Sequence, residues 1–224
     1  MSLPTTTKVC REAIPELSEY DIVVRFHAAA LNYRDVSIPY GTFPFGFKTG
    51  VVPGSDGAGE VIAVGAKVTR FQKGSKVVTQ FNQKHIYGSL TSKTICTALG
   101  GDLDGVLRQY GAFNEEGLVA MPKSLDYVQA STLTGAAVTA WNALYSLRPV
   151  GVSLFAIHFA KAAGATVIAT TSSAAKTQGL KDLGADHVIN YREVENWGDK
   201  AKKLTDSKKG IDYVIDICRG GTMV

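Results

Sequence analysis

Between Tyr20 and about Pro122 the apolar positions come in short alternating runs, such as Ile22, Val24 and Phe26 and then Val61 to Val64, among many glycines and β-branched residues. That period of two predicts an antiparallel, partly barrel-like β domain. The period changes at Asp126, a residue suited to open a helix. Beyond it Leu133, Ala136, Ala137, Ala140, Leu144 and Leu147 recur at helical spacing, which predicts one long amphipathic helix.

Further on, helical and extended patterns alternate. A helix is expected at about 152–163, with Val152, Phe155, Ala156, Phe159, Ala160 and Ala163 on one face, followed by a strand TVIAT at 166–170. A helix over 174–183 should stop at Gly184. A short strand HVIN, a lysine-rich helix and a final strand IDYVIDI at 211–217 complete the run. Strands alternating with helices imply a parallel sheet. The fold class is therefore α/β, with a β domain over residues 1–125 and a Rossmann-like part over 126–224.

Composition narrows the function classes only modestly. The net charge of +4 is partly local, because Lys200, Lys202, Lys203, Lys208 and Lys209 crowd one stretch. No aromatic residue interleaves these lysines, so they read as a solvated helix face, and nucleic acid is not an expected partner. Cys10, Cys96 and Cys218 are far apart and form no C-x-x-C pair, which argues against a disulfide framework or a zinc knuckle and for a reducing compartment. The start MSLPTTTK lacks the apolar run of a signal peptide, and His158 and Lys161 interrupt the most apolar stretch, 150–170. A soluble, cytoplasmic protein without a membrane partner is expected.

Four segments carry a family resemblance: ALNYRD at 30–35, PGSDGAGEVIAVGAKVTRFQKGSKVV at 53–78, AAVTAW at 136–141 and LGADHVINYRE at 183–193. Together, and in this order, they resemble the medium-chain dehydrogenase/reductase family. The resemblance implies a GroES-like catalytic domain, with its opening hairpin shortened, ahead of the Rossmann part. In the zinc-dependent branch a Cys takes the place of Asn32 or its neighbour, and a His-Glu pair stands where Ser55 and Asp56 stand here. Zinc favours thiolate and imidazole, so Asn, Ser and one Asp make a poor tetrahedral site. The four-cysteine zinc lobe is also missing, since Cys96 alone lies in that region. No metal is expected, and simple alcohol oxidation is disfavoured.

The resemblance then points to the quinone-oxidoreductase-like branch, in which a hydride passes from a nicotinamide to a quinone, an enone or another activated double bond. Carried over residue by residue, it implies that Asn32 and Thr139 sit near the nicotinamide. Tyr33, Arg34 and Asp35 would line or brace the substrate pocket, or Arg34 and Asp35 would form a structural ion pair. Relatives that reduce enoyl thioesters donate a proton from Tyr in a G-x-Y-P segment. Here the segment reads Gly41-Thr42-Phe43-Pro44. Phe43 cannot donate a proton, and Tyr40 is either a substitute donor or an exposed turn aromatic.

Sheets that bind NAD usually place an acidic residue at the end of the second strand to hold the ribose 2'-hydroxyl. Thr171 stands there instead. Ser172, Ser173, Lys176 and Tyr191 resemble the set around the 2'-phosphate of quinone reductases, which favours NADPH over NADH unless Lys176 merely faces solvent. Gly151 and Val152 are what remains of the glycine turn that would receive the pyrophosphate.

The chain leaves no room for the first Rossmann strand, because Arg148, Pro149 and Val150 alone separate Leu147 from Gly151. Against the family pattern, the strands after the fourth are not expected within these 224 residues. The strands at 166–170 and 211–217 must then pair directly or expose apolar edges. Two readings follow: an NADPH-dependent reductase of small molecules, with enoyl thioesters kept as a less favoured substrate class and a homodimer allowed by complete relatives, or a non-catalytic remnant. No Tyr is followed four residues later by Lys, and Ser55 lies in GSDG, so a short-chain dehydrogenase and a serine hydrolase are excluded. His27, His85, His158 and His187 share no metal-ligand spacing.

Overall fold

The computed structural model describes residues 8–145, 154–205 and 209–215. The chain divides into two compact units, Met1–Gly135 and Ala136–Val224. Among the described residues no helix is long and apolar enough to cross a membrane.

The first unit is built on an antiparallel sheet of five strands: β1 (Asp21–Ala30), β2 (Asp56–Val64), β3 (Lys76–Thr79), β4 (Tyr110–Asn114) and β5 (Leu118–Ala120), in the order β4-β1-β2-β3-β5. The alternating apolar positions of the sequence meet on one face, where Ile22, Val24, Val61, Val77, Phe113 and Leu118 are buried together with Leu99 and Val106 from the connections. Phe26 packs edge-on to Phe113, with ring centroids 5.7 Å apart. The ladder between β1 and β2 runs from Ile22 opposite Val64 to Ala30 opposite Asp56, so the end of β1 delivers the chain directly to the start of β2. Helix α1 (Tyr33–Ser37) begins immediately beyond, and a short helix α2 (Ser92–Ile95) lies in the long connection before β4.

Asp126 opens a helix as expected: its Oδ1 accepts the N–H of Gln129 at 2.8 Å, and its own N–H donates to Gln129 Oε1 at 3.1 Å. The single long helix, however, is not formed. Helix α3 (Tyr127–Ser131) is followed by a π-helical segment, Leu133–Ala137, and then by α4 (Val138–Tyr145). The widened turn holds Gly135 against the carboxyl group of Asp56, a demand that a periodicity of 3.6 does not encode. Helix α3 packs on β1 and β2.

In the second unit α4 packs on α5 (Leu154–Ala162), with Trp141 edge-on to Phe159 at 5.5 Å. Ile157 is buried, and Phe155, Ala156, Phe159 and Ala160 of the expected apolar face are half-buried. Strands β6 (Ile168–Thr171) and β7 (His187–Asn190) pair in parallel, from Ile168 opposite His187 to Thr171 opposite Asn190. Between them lies α6 (Thr177–Asp182), and after them α7 (Trp197–Lys203), the lysine-rich helix. The stop at Gly184 is realised by a backbone at φ +104°, open to glycine at little cost. Lys161 Nζ donates to both oxygens of Asp186 at 2.9 Å, and Asp186 also accepts the N–H of Val167, tying α5 to the start of the sheet.

The expected strand at 211–217 is not formed over residues 211–215; residues 216–217 lie outside the described part. Among the described residues β6 pairs with β7 alone. A strand at 211–217 would need the first Rossmann strand as its neighbour, and the sequence supplies no residues for it. Tyr213 is accordingly 75% exposed. Residues 211–215 form no strand, so neither outcome foreseen for these segments, direct pairing or an exposed strand edge, is seen there.

Candidate active site

The turn from β1 into α1 and the start of β2 bring three polar side chains together. Asn32 Nδ2 donates to Asp56 Oδ2 at 3.1 Å and reaches Ser55 Oγ at 3.5 Å, while Ser55 Oγ donates to Asp56 Oδ1 at 2.7 Å. The backbone N–H of Gly135 donates to Asp56 as well. Ser55 and Asp56 are buried and Asn32 is half-buried. Thr79 Oγ1 donates to the Ser55 carbonyl at 2.9 Å and accepts the N–H of Gly57 at 2.9 Å, which fixes the strand that carries the pair. Burial pushes the Asp56 carboxyl above the usual carboxylate range, against the donors from Ser55 and Asn32, which hold it down.

Asp35 accepts hydrogen bonds from two backbone groups of this cluster. Its Oδ2 accepts the N–H of Asn32 at 2.8 Å and its Oδ1 that of Gly54 at 3.1 Å, so it clamps both chain segments of the site. Arg34 forms no ion pair with it: among the described residues its guanidinium lies over the rings of Phe81, at 4.7 Å, and Phe43, at 5.4 Å. Burial lowers the Arg34 pKa, and Asp35, Asp102 and Asp56 oppose that shift from a distance. Tyr33 is largely exposed and, with Val36, Ser37, Tyr40 and Thr42, lines an open cavity of about 240 Å³. Tyr40 is thus part of a cavity wall.

These residues do not fit zinc. The cluster offers one carboxylate, a hydroxyl and an amide, and the carboxylate oxygens already accept three hydrogen bonds. Among the described residues no three His, Cys, Asp or Glu side chains converge on a point. A divalent ion would have to displace the Ser55 and Asn32 donors and would find neither thiolate nor imidazole in return.

The comparisons with known proteins agree with this scaffold. Residues 18–123 match the alcohol dehydrogenase GroES-like domain, and residues 151–223 match the zinc-binding dehydrogenase domain. The chain belongs to the medium-chain dehydrogenase/reductase superfamily. A zinc-type alcohol dehydrogenase-like protein of Schizosaccharomyces pombe is 40% identical over 92% of this chain and 63% of its own length. A quinone oxidoreductase of Pseudomonas aeruginosa is 32% identical over 87% of this chain and 61% of its own. A solved structure from Sinorhizobium meliloti, described as an alcohol dehydrogenase, superposes with a TM-score of 0.84 at 41% identity, over 93% of this chain and 64% of that one. The chain therefore spans less than two thirds of the length of each.

In this medium-chain dehydrogenase/reductase chain the residues expected around the dinucleotide, apart from Asn32, belong to the second unit. Ser172 and Ser173 follow the carboxyl end of β6, and Tyr191 follows that of β7, where its N–H donates to the Thr171 carbonyl at 3.0 Å. Lys176 ends the short turn of helix after Ser173 and is exposed. The carboxyl edge of a parallel sheet is where such folds bind nucleotides, and Thr171 at the tip of β6 brings no carboxylate to it. Thr139 lies half-buried on α4. Gly151 and Val152 lie outside the described residues.

Reading the sequence did not find the tie between Asn32 and Asp56 or the part of Gly135. An aspartate immediately before the apolar run of β2 was the available signal, since a carboxylate buried in a strand needs donors close by.

Proposed function

We propose that this protein is an NADPH-dependent oxidoreductase that acts without zinc on a small molecule bearing a quinone, an enone or another activated double bond. Residues 1–125 would form the catalytic part and residues 126–224 the nucleotide-binding part. The observation that carries the reading is the Asn32–Ser55–Asp56 cluster, whose oxygens and amide are engaged with one another where a zinc enzyme needs open metal ligands. Without a metal to polarise an alcohol, hydride transfer to an already electron-poor double bond is the chemistry the site suits. The nicotinamide supplies that hydride when bound.

In this reading Asn32 and Thr139 are the residues assigned to the nicotinamide, and Tyr33 and Tyr40 form an aromatic wall for a flat acceptor. Arg34 stiffens the wall through Phe43 and Phe81. Ser172, Ser173, Lys176 and Tyr191 receive the 2'-phosphate, a dianion suited to a lysine with hydroxyl donors. Gly151 and Val152 are assigned to the pyrophosphate. Quenching and shift of NADPH fluorescence on titration with the purified chain, followed by quinone turnover at about 1 per second or faster, would sustain the proposal.

A second reading, a fold that binds no cofactor, is favoured by the lack of strand structure over residues 211–215 and by pairing of β6 with β7 alone among the described residues. No NADPH binding at millimolar cofactor would select it.

A further inference from the structure

The open cavity runs along one side of α1 and the turn that follows it. Tyr33, Val36, Ser37 and Tyr40 are three, four and seven residues apart, and the helical path continues past Ser37, because the Ile38 N–H donates to the Arg34 carbonyl at 2.9 Å and the Tyr40 N–H to the Val36 carbonyl at 3.4 Å. The chain then reverses. Gly41 stands at φ +65°, and the Thr42 N–H donates to the Ser37 carbonyl at 3.0 Å, which brings Thr42 back to the end of the cavity.

Four hydroxyl groups belong to this lining, and they differ in what they offer a ligand. Ser37 Oγ donates to the Arg34 carbonyl at 3.3 Å and Thr42 Oγ1 to the Ser37 carbonyl at 3.2 Å. Both protons are turned to the backbone, which leaves these two groups their lone pairs. The phenolic hydroxyls of Tyr33 and Tyr40 have no hydrogen-bond partner among the described residues. Tyr33 is 76% exposed and keeps its water, whereas Tyr40 is 37% exposed, so a ligand that fills the cavity covers it and has to replace that water. None of the lining residues is charged. The cavity is also smaller than the roughly 300–1,000 Å³ of pockets for drug-sized ligands, which suits a single ring.

We propose that Tyr40 determines specificity at this site: its hydroxyl donates to the carbonyl oxygen of a small, uncharged, single-ring conjugated ketone or quinone, with Tyr33 and Val36 as the apolar bed. This rests on the reductase reading above and names the group that meets the acceptor's oxygen. Hydride addition to such an acceptor drives negative charge onto that oxygen, where a hydrogen bond from Tyr40 strengthens. A carboxylate-bearing ligand meets no cation here.

The test uses the full chain carrying fluorotyrosine, read by fluorine NMR, with the Tyr33 and Tyr40 signals assigned by their loss in Tyr33→Phe and Tyr40→Phe. Three probes of one size are titrated without cofactor: acetylcyclohexene, a conjugated ketone; ethylcyclohexene, its hydrocarbon counterpart; and cyclohexenecarboxylate, its anionic counterpart. The ketone should move the Tyr40 signal saturably and bind about fivefold more tightly than either of the others, the value of one hydrogen bond. Tyr40→Phe, which keeps the ring, should weaken the ketone by the same factor, read on the Tyr33 signal. Tyr33→Phe, read on the Tyr40 signal, should leave its affinity within about twofold.

Equal affinity for ketone and hydrocarbon, tighter binding of the acid, a loss in Tyr33→Phe as large as in Tyr40→Phe, or no response at Tyr40 overturns the proposal. The probe series in the unmodified chain decides even where a variant does not fold. Because every arm is read without cofactor, a chain that binds the ketone through Tyr40 but fails to bind NADPH sustains this assignment and overturns the reductase reading.

Discussion

Gly135 stands so close to Asp56 that a Cβ at position 135 would lie 2.1 Å from Asp56 Oδ2. That is well inside contact distance, so any side chain there must push the carboxyl group away from Asn32 and Ser55. Gly135→Ala is expected to destabilise the first unit by about 1–3 kcal/mol, the usual cost of overpacking a filled site. Denaturant unfolding measures it. Wild-type stability in the alanine variant would mean that the π-helical turn moves freely and that the carboxyl group is not held by it.

Because burial raises the Asp56 pKa, protonation of this group favours the folded state. Its contribution is fully present below the pKa of an unfolded aspartate, about 3.9, and is lost as pH rises through the higher value in the fold. Asp56→Asn should flatten the stability profile over that interval, relative to the unmodified chain. Identical profiles for the two proteins would place Asp56 in an ordinary, solvated setting.

If Lys176 meets a 2'-phosphate, Lys176→Ala should weaken NADPH binding about fivefold, the value of one modest polar contact of about 1 kcal/mol, and leave NADH unaffected. The companion change Thr171→Asp should shift preference toward NADH, because it restores a carboxylate at the tip of β6. Fluorescence titration with both cofactors reads each variant. Equal losses for the two cofactors in Lys176→Ala would remove that lysine from the site.

Elemental analysis of untagged protein should find zinc well below one equivalent. The donor set argues for it: one carboxylate, already saturated with hydrogen bonds, and no thiol or imidazole beside it. A stoichiometric metal lost on Asp56→Asn would reverse both the zinc-independent reading and the network drawn here.

Leu118 has no exposed surface and closes the core beneath β5. Leu118→Ala should cost about 2–5 kcal/mol, measured by the shift of the unfolding midpoint at constant slope. A loss under about 1 kcal/mol would be no more than truncating an exposed side chain costs, and would show that this core is looser than its burial implies.

The β unit was legible because its information is local: alternation at Ile22, Val24 and Phe26 and a capping residue at Asp126 each act within a few positions. The placement of β6, α6, β7 and α7 followed from the same kind of signal, with Gly184 marking a stop. What the sequence did not disclose was three-dimensional coincidence. Helical periodicity over Leu133 and Ala137 said nothing of a widened turn, since the cause lies on β2, at Asp56. Adjacent opposite charges at Arg34 and Asp35 suggested a pair, yet each found a better environment, backbone N–H groups for Asp35 and aromatic rings for Arg34. The strand expected over 211–217 followed from a correct pattern, but a strand also needs a neighbour.

The ladder between β1 and β2 carries two irregularities, one between Val23 and Val24 and one between Phe26 and Ala28. They compensate. Ile22 opposite Val64 and Ala30 opposite Asp56 stand in the same register, while Val24 to Phe26 between them are offset by one residue. Side chains in a strand alternate between faces, so removing either irregularity alone would turn Asp56 from the interior toward the other side of the sheet. Single-residue insertions and deletions in this pair of strands are therefore expected to be tolerated only in matched twos, and the geometry of the Asn32–Ser55–Asp56 cluster is inherited from a count of residues kept in step at two separate places.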